Sequence, residues 1–336
     1  MDGRNRSGKM MEYDQSVLTR TERRVFALRT LYSRAGYRSY RMRKFEDYDL
    51  YSRNKDFLLS DRVITFTDTN GKLKALKPDV TLSIVKNYKD RPDELVRLFY
   101  DENVYRVSER TNSFREITQM GLECIGAADN KAAAEVIRLA EQSLALVAED
   151  HEYVLRVSDI DMLTLIIEDM TDSKAVRSEL LRLAGEKNIH EIERLCEASE
   201  IRAEKCKTLT SLLGLYGEPE KVMASLGDIC KGTAAEAEVD ELQDVLDNLF
   251  AEGPDSRIIL DFSIIGDTNY YNGMAFEGYI DGIPECVLVG GRYDKLMHKM
   301  KKKSRAIGFA VYLDTLGLLG RTAGDQAIES FFSNQA

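Results

Sequence analysis

The amino-acid sequence predicts an α+β fold, a mainly antiparallel sheet flanked by helices and carrying a helical insertion. Three observations lead to it. Strand-like segments lie on both sides of a block that is helical almost throughout. Asn70-Gly71 and Asp281-Gly282 are hairpin signals within the two strand-rich parts. Successive strands follow one another with short connections, which favours antiparallel pairing.

Composition narrows the function classes. In 336 residues, 43% apolar and 31% charged side chains are enough for a sizeable core. No run approaches the ~20 apolar residues of a membrane span. No apolar segment follows the basic residues near Met1, so the expectation is a protein without a signal peptide, working in the cytoplasm. Five cysteines without a C-x-x-C pair read as reduced thiols, and with three histidines no metal site and no cofactor are expected. The net charge of −10 opposes general phosphate attraction, although residues 1–60 are locally basic.

Thr19-Arg20-Thr21-Glu22 fits a capping box, and Val25, Leu28, Leu31 and Tyr32 recur at helical spacing up to Gly36, a C′ residue. VITFTD (63–68) and KLKALKP (72–78) read as strands around a type I′ Asn-Gly turn. LVRLFY (95–100) and VYRVSE (104–109) read as a strand pair, and FREITQMGLECIG (114–126) as a longer strand. Asp129 or Asn130 caps a helix with an apolar stripe from Ala134 to Leu146, and HEYVLRVSDI (151–160) returns as a strand. Helical spacing then dominates 161–250. RIILDF (257–262), YYNGMAFEGYI (270–280) and ECVLVGG (285–291) read as strands, and AIGFAVYLDTLGLLG (306–320) as closing helical sequence. The expected organisation is one core from 1–160 and 251–322, an insertion at 161–250 and a tail at 323–336.

Three polar clusters fall on or beside these strands: Lys77-Pro78-Asp79-Val80-Thr81, the segment Arg106 to Glu123, and Tyr270 to Glu277 followed by Gly290-Gly291-Arg292-Tyr293-Asp294. From the residues alone each also admits a structural role. Asp79 and Thr81 fit helix caps, Arg106 fits an ion pair with Glu109 or Glu123, Tyr270 and Tyr271 fit strand aromatics, and Gly290-Gly291 fit the backbone geometry of a strand-to-helix turn.

In order and context the clusters resemble the catalytic core of the histidyl-tRNA synthetase family, a class II aminoacyl-tRNA synthetase fold. LKPDVT resembles L-R-P-E-G-T, FYDENVYRVSER the motif 2 strand, FREITQMGLECIG the pattern R-E-F-x-Q-x-G-x-E-x-x-G, and YYNGMAFEGY with GGRYDKL the histidine-specific elements. The resemblance spans about residues 15–320. It implies that Asp79 and Thr81 hold the amino group of bound L-histidine and Arg106 its carboxylate. Gln119, Glu123, Tyr270 and Tyr271 would meet the amino group or imidazole. An amino-acid zwitterion requires that chemistry: acceptors for the ammonium and a cation for the carboxylate.

The sequence departs from the synthetase where ATP would be activated. The family's R-G-L-D-Y-Y is replaced by Gly266-Asp267-Thr268-Asn269-Tyr270-Tyr271, with Gly266 at the arginine. The motif 3 pattern G-F-A-x-G-x-E-R-L is matched by Gly308-Phe309-Ala310-Val311-Tyr312-Leu313-Asp314-Thr315-Leu316, with Thr315 at the arginine. In motif 2, Ser108 stands where R-x-E would place Glu. Two preorganised cations at roughly 3 kcal/mol each correspond to about 10⁴-fold in rate. No anticodon-binding segment is read after motif 3, so no tRNA is expected as a partner.

A synthetase-like core with an eroded ATP site resembles the regulatory-subunit branch that serves ATP phosphoribosyltransferase. That resemblance implies a non-catalytic role in the first step of histidine biosynthesis and in histidine feedback, with a short-form catalytic phosphoribosyltransferase subunit as partner and self-association as a dimer. The motif 1 region, Arg41-Met42-Arg43-Lys44-Phe45-Glu46, lacks the family's proline. His298 to Lys303 reads as a solvated basic loop. Two other function classes remain at this level: a truncated amino-acid-activating enzyme using Arg305 or Lys301 to Lys303 as replacement cations, and a nucleic-acid-binding accessory protein using the basic N-terminal stretch.

Overall fold

The computed structural model describes residues 18–58, 62–108, 111–251, 253, 255, 257–264 and 270–319. Helix α1 (Arg20–Arg34) opens on the capping box: Thr19 accepts from the Glu22 N–H, Glu22 accepts from the Thr19 N–H, and Gly36 leaves the helix at φ +85°. Thr19→Ala is expected to cost about 1 kcal/mol of stability in urea denaturation.

A short strand β1 (Arg38–Ser39) precedes a small sheet built from β2 (Phe45–Asp47), β3 (Thr65–Thr67) and β4 (Leu73–Leu76) in the order β2-β4-β3, with helix α2 (Tyr48–Ser52) following β2. The hairpin between β3 and β4 forms, but not through a type I′ turn. Asp68 O accepts from the Gly71 N–H, and only Gly71, at φ +78°, enters the left-handed region. The Asp68 carboxylate accepts from the N–H groups of Asn70 and Lys72, and this local cage selects a type I turn closed by a glycine.

After α3 (Thr81–Asn87), residues 95–107 form one strand, β5 (Leu95–Val107), paired along its whole length with β6 (Phe114–Gly126). The expected break at Asp101-Glu102-Asn103 is absent because each polar residue finds a distant partner. Asp101 meets Arg29, Glu102 meets Lys77 and the Met42 N–H, and Asn103 meets Glu116.

Helix α4 (Asn130–Ala148), capped by Asp129, and β7 (Tyr153–Asp159) lead into α5 (Ile160–Met170), α6 (Lys174–Gly185), α7 (Ile189–Ala198), α8 (Ala203–Leu213), the two-residue β8 (Tyr216–Gly217), α9 (Pro219–Cys230) and α10 (Glu236–Leu249). This helical block shares the core of the sheet. Leu242, Val245 and Leu246 of α10 lie in one buried cluster with Val136, Ile137 and Ala140 of α4 and Leu155 and Val157 of β7.

The chain then adds β9 (Ile258–Asp261), β10 (Met274–Ile280), β11 (Leu288–Arg292), α11 (Asp294–Lys299) and β12 (Arg305–Tyr312). The main sheet runs β1-β5-β6-β12-β11-β10-β7-β9-β8, antiparallel except for the pairs β1/β5 and β7/β9. Residues 306–312, expected to be helical, are therefore a central strand, and only Thr315–Leu318 make a short 3₁₀ turn. A strand covered on both faces reads as a continuous apolar run, and only its two neighbours, β6 and β11, decide its conformation. Tyr270 to Gly273, expected within a strand, instead form the approach to β10. Among the described residues no helix is long and apolar enough to cross a membrane, and no group of His, Cys, Asp and Glu has metal-binding geometry.

Candidate functional site

One face of the central strands carries a cavity of about 270 Å³. All seven sequence-predicted residues line it: Asp79, Thr81, Arg106, Gln119, Glu123, Tyr270 and Tyr271. The sheet register explains the convergence. Glu123 lies beside Gly308, Gly121 beside Tyr100 on one side and Ala310 on the other, and Gln119 beside Tyr312. Residues two apart share a face, so Gln119, Gly121 and Glu123 point together into the cavity.

Glycines on this face make the room. A Cβ at Gly121 would lie 2.5 Å from the Tyr100 hydroxyl, one at Gly291 2.6 Å from the Tyr271 ring, and one at Gly308 2.0 Å from Glu123 Oε2. On the opposite face a Cβ at Gly290 would strike the Phe276 ring at 2.4 Å. Gly290 and Gly291 thus serve close packing rather than the backbone geometry that the sequence allowed, since neither has a positive φ.

The floor of the cavity is a buried carboxyl. Glu123, 2% exposed, accepts from Thr81 Oγ1 at 2.6 Å and from the Tyr293 hydroxyl at 2.6 Å. Burial pushes its pKa up to about 8, against the pull of those two hydroxyls and with the neighbouring Asp79 adding to the rise. Burial thus favours the protonated form of Glu123, where the sequence alone reads a plain carboxylate. Asp79 is also raised by burial, opposed by the Leu82 N–H and by Arg106. Its Oδ1 accepts from the Leu82 N–H at 2.7 Å, so Asp79 tethers the start of α3 and also lines the cavity.

Arg106 is the one cation among the described lining residues. It does not form an ion pair with Glu123. Its Nε donates to Pro78 O at 3.0 Å, and its charge acts on Asp79 and Tyr312. Tyr270 packs edge-on against Tyr271 at 4.8 Å and lies 6.1 Å from Tyr293, forming an aromatic wall. Sequence reasoning did not count Tyr100, Val289, Tyr293, Gly308, Phe309, Ala310 and Tyr312 among the site residues, although all line the cavity. Tyr100 shares strand parity with Arg106 and was legible from that spacing; Tyr312 was hidden by the helical reading of its segment.

At Thr315, where the resembling motif has an arginine, the side chain donates its hydroxyl to Tyr312 O at 2.6 Å and carries no charge. Gly266 and Glu109 lie outside the described residues. Of the basic segment expected to be a loop, His298 and Lys299 instead close α11, where basic residues suit a helix C-terminus; beyond them Lys302 Nζ donates to Tyr88 O at 2.7 Å and the Lys303 N–H to Asp90, while the Lys301 and Lys303 side chains are exposed. Arg305 faces Glu241 at 3.6 Å and Asp294 at 3.5 Å.

Comparison with known proteins places this arrangement. A family model described as histidyl-tRNA synthetase matches residues 10–316. The ATP phosphoribosyltransferase regulatory subunit of Oceanobacillus iheyensis is 30% identical over 287 residues, 84% of this chain and 70% of that protein. Its counterpart from Clostridium acetobutylicum is 29% identical over 296 residues, 86% of this chain and 72% of that one. Among solved structures, an ATP phosphoribosyltransferase regulatory subunit/histidyl-tRNA synthetase from Bacillus halodurans superimposes with a TM-score of 0.78 at 22% identity, covering 90% of this chain and 79% of its own. A chain of the ATP phosphoribosyl transferase (HisG:HisZ) complex from Thermotoga maritima gives 0.66 at 18%, covering 86% and 96%. The fold is thus that of the class II, histidyl-tRNA synthetase-like proteins. Within that class the chain belongs to the family of ATP phosphoribosyltransferase regulatory subunits.

Proposed function

We propose that this chain is a non-catalytic subunit that binds free L-histidine in the cavity around Glu123 and serves a catalytic phosphoribosyltransferase subunit in the first step of histidine biosynthesis. The observation that carries the reading is an asymmetric site. Its amino-acid half keeps a cation, Arg106, opposite a group of acceptors, Asp79, Thr81, Gln119 and Glu123. On its nucleotide side Thr315 is committed to a backbone carbonyl. Phosphoryl chemistry relies on cations placed where charge develops, so a site of this kind holds an amino acid without activating it. The relatives' names support the partner, and the reading extends to a complex in the cytoplasm in which this chain also self-associates.

Calorimetry tests it directly: histidine is expected to bind in the absence of ATP, and histidine-dependent ATP–pyrophosphate exchange is expected to be absent. Robust exchange would replace this reading with an amino-acid-activating enzyme. Arg106→Ala is expected to weaken binding by about 1.5–3 kcal/mol, roughly 10- to 150-fold, through loss of a charge-assisted contact to the carboxylate. Unchanged affinity would move the carboxylate elsewhere.

A further inference from the structure

Tyr312 occupies the last position of β12, directly across from Gln119, and lines the cavity with its hydroxyl in reach of the Arg106 guanidinium. In the pattern G-F-A-x-G that this strand resembles, the same position is a glycine, so the phenol ring fills space that the pattern leaves open. The backbone beneath the ring is held at every polar atom. Tyr312 N–H donates to Val287 O at 2.8 Å, and Tyr312 O accepts from the Thr315 hydroxyl at 2.6 Å. The next two residues are tied to β6: Leu313 N–H donates to Thr118 O at 3.0 Å, and Asp314 accepts from the Thr118 N–H at 2.8 Å. The ring cannot retreat by a shift of the strand end without breaking this set.

We infer that Tyr312 is a specificity wall, closing the cavity behind the ligand carboxylate and confining it to a free α-amino acid while rejecting derivatives extended through the carboxyl group, such as acyl adenylates. The inference rests on the assignment of the cavity to histidine and of Arg106 to its carboxylate. Beyond Arg106 an extended ligand meets the phenol, and discrimination arises from overlap with that ring, a repulsive element rather than a weaker attraction. Thr315 then acquires a purpose in this chain: in place of a cation for phosphate, it braces the carbonyl of the residue that excludes the nucleotide.

The test is competitive calorimetry on the full chain with two probes, L-histidine and the nonhydrolysable acylsulfamate of histidine and adenosine, which keeps a negative charge for Arg106. The wild-type chain is expected to prefer histidine by at least about tenfold. Tyr312→Ala is expected to shift the ratio of the two affinities by at least about tenfold toward the acylsulfamate, whereas Tyr312→Phe, which keeps the ring, retains the wild-type ratio. Circular dichroism establishes that each variant is folded. A wild-type chain that binds the acylsulfamate as tightly as histidine overturns the inference without any variant, and so does a folded Tyr312→Ala chain whose ratio has not moved. If neither probe binds the wild type, the histidine assignment itself fails, an outcome distinct from the other two.

Discussion

Glu123→Gln is expected to flatten the dependence of stability on pH between about pH 5 and 8. Burial raises this carboxyl from its ordinary 4.5 to about 8, so across that window the folded chain holds a proton that the unfolded chain has released. The stabilisation is complete below the unfolded value and is lost as pH rises through the folded one. At 1.36 kcal/mol per unit, the loss is on the order of 3–5 kcal/mol. Gln matches the protonated acid in shape, its amide oxygen accepting and its NH2 group donating, and the hydroxyls of Thr81 and Tyr293 can rotate to meet them. Asp159, 2% exposed and raised to about 7 by burial, has the same sign and keeps its share in the variant. Urea denaturation of both chains at pH 5.5, 7 and 8.5 measures the difference; parallel profiles would show that Glu123 ionises normally in the folded state. The same variant separates sensing from assembly: a ligand ammonium beside Glu123 favours its charged form, which Gln cannot supply, so feedback by histidine should relax while the complex with the catalytic subunit stays intact. A normal inhibition curve from a variant unable to bind histidine would place the feedback site on the partner.

The second large effect is expected at Gly308. A Cβ there lies 2.0 Å from Glu123 Oε2 and 2.5 Å from the carbonyl oxygen of Leu122, and the carbonyl belongs to the strand with which Gly308 is in register. The side chain can swing away only by leaving Thr81 and Tyr293, and the carbonyl only by shifting β6. Gly308→Ala is therefore expected to cost about 1–3 kcal/mol or more in stability and to weaken histidine binding by about 100-fold. Gly227→Ala, in the interior of α9 with open space around it, is the control and is expected to stabilise by up to about 1 kcal/mol. Equal behaviour of the two variants in denaturation and calorimetry would mean that the cavity floor is not held by close packing.

Much of the fold and site was legible because the signals are local. The capping box at Thr19, the cap at Asp129 and the span Phe114–Gly126 each depend on residues a few positions apart. The seven ligand-site candidates came from the resemblance of their motifs to the histidyl-tRNA synthetase family, and the structure brings all seven to one cavity. Where local signals conflicted with distant partners, the expectation failed. Residues 101–103 continue a strand because Arg29, Lys77 and Glu116 satisfy them, and 306–312 form a strand because β6 and β11 lie on either side.

The sequence by itself determined the class of fold, the helical block between two strand-rich parts, and, through its motifs, the polar residue types that line the cavity. Only the tertiary structure decided that burial raises the Glu123 carboxyl, that Gly121, Gly291 and Gly308 give its neighbours room, and that Tyr312 lines the cavity with its carbonyl held by Thr315. The physical reason is range. Periodicity and capping are written in neighbours along the chain, whereas desolvation, close approach and the shape of a cavity arise between residues such as Thr81, Glu123, Tyr293 and Gly308, which meet only when the sheet has closed.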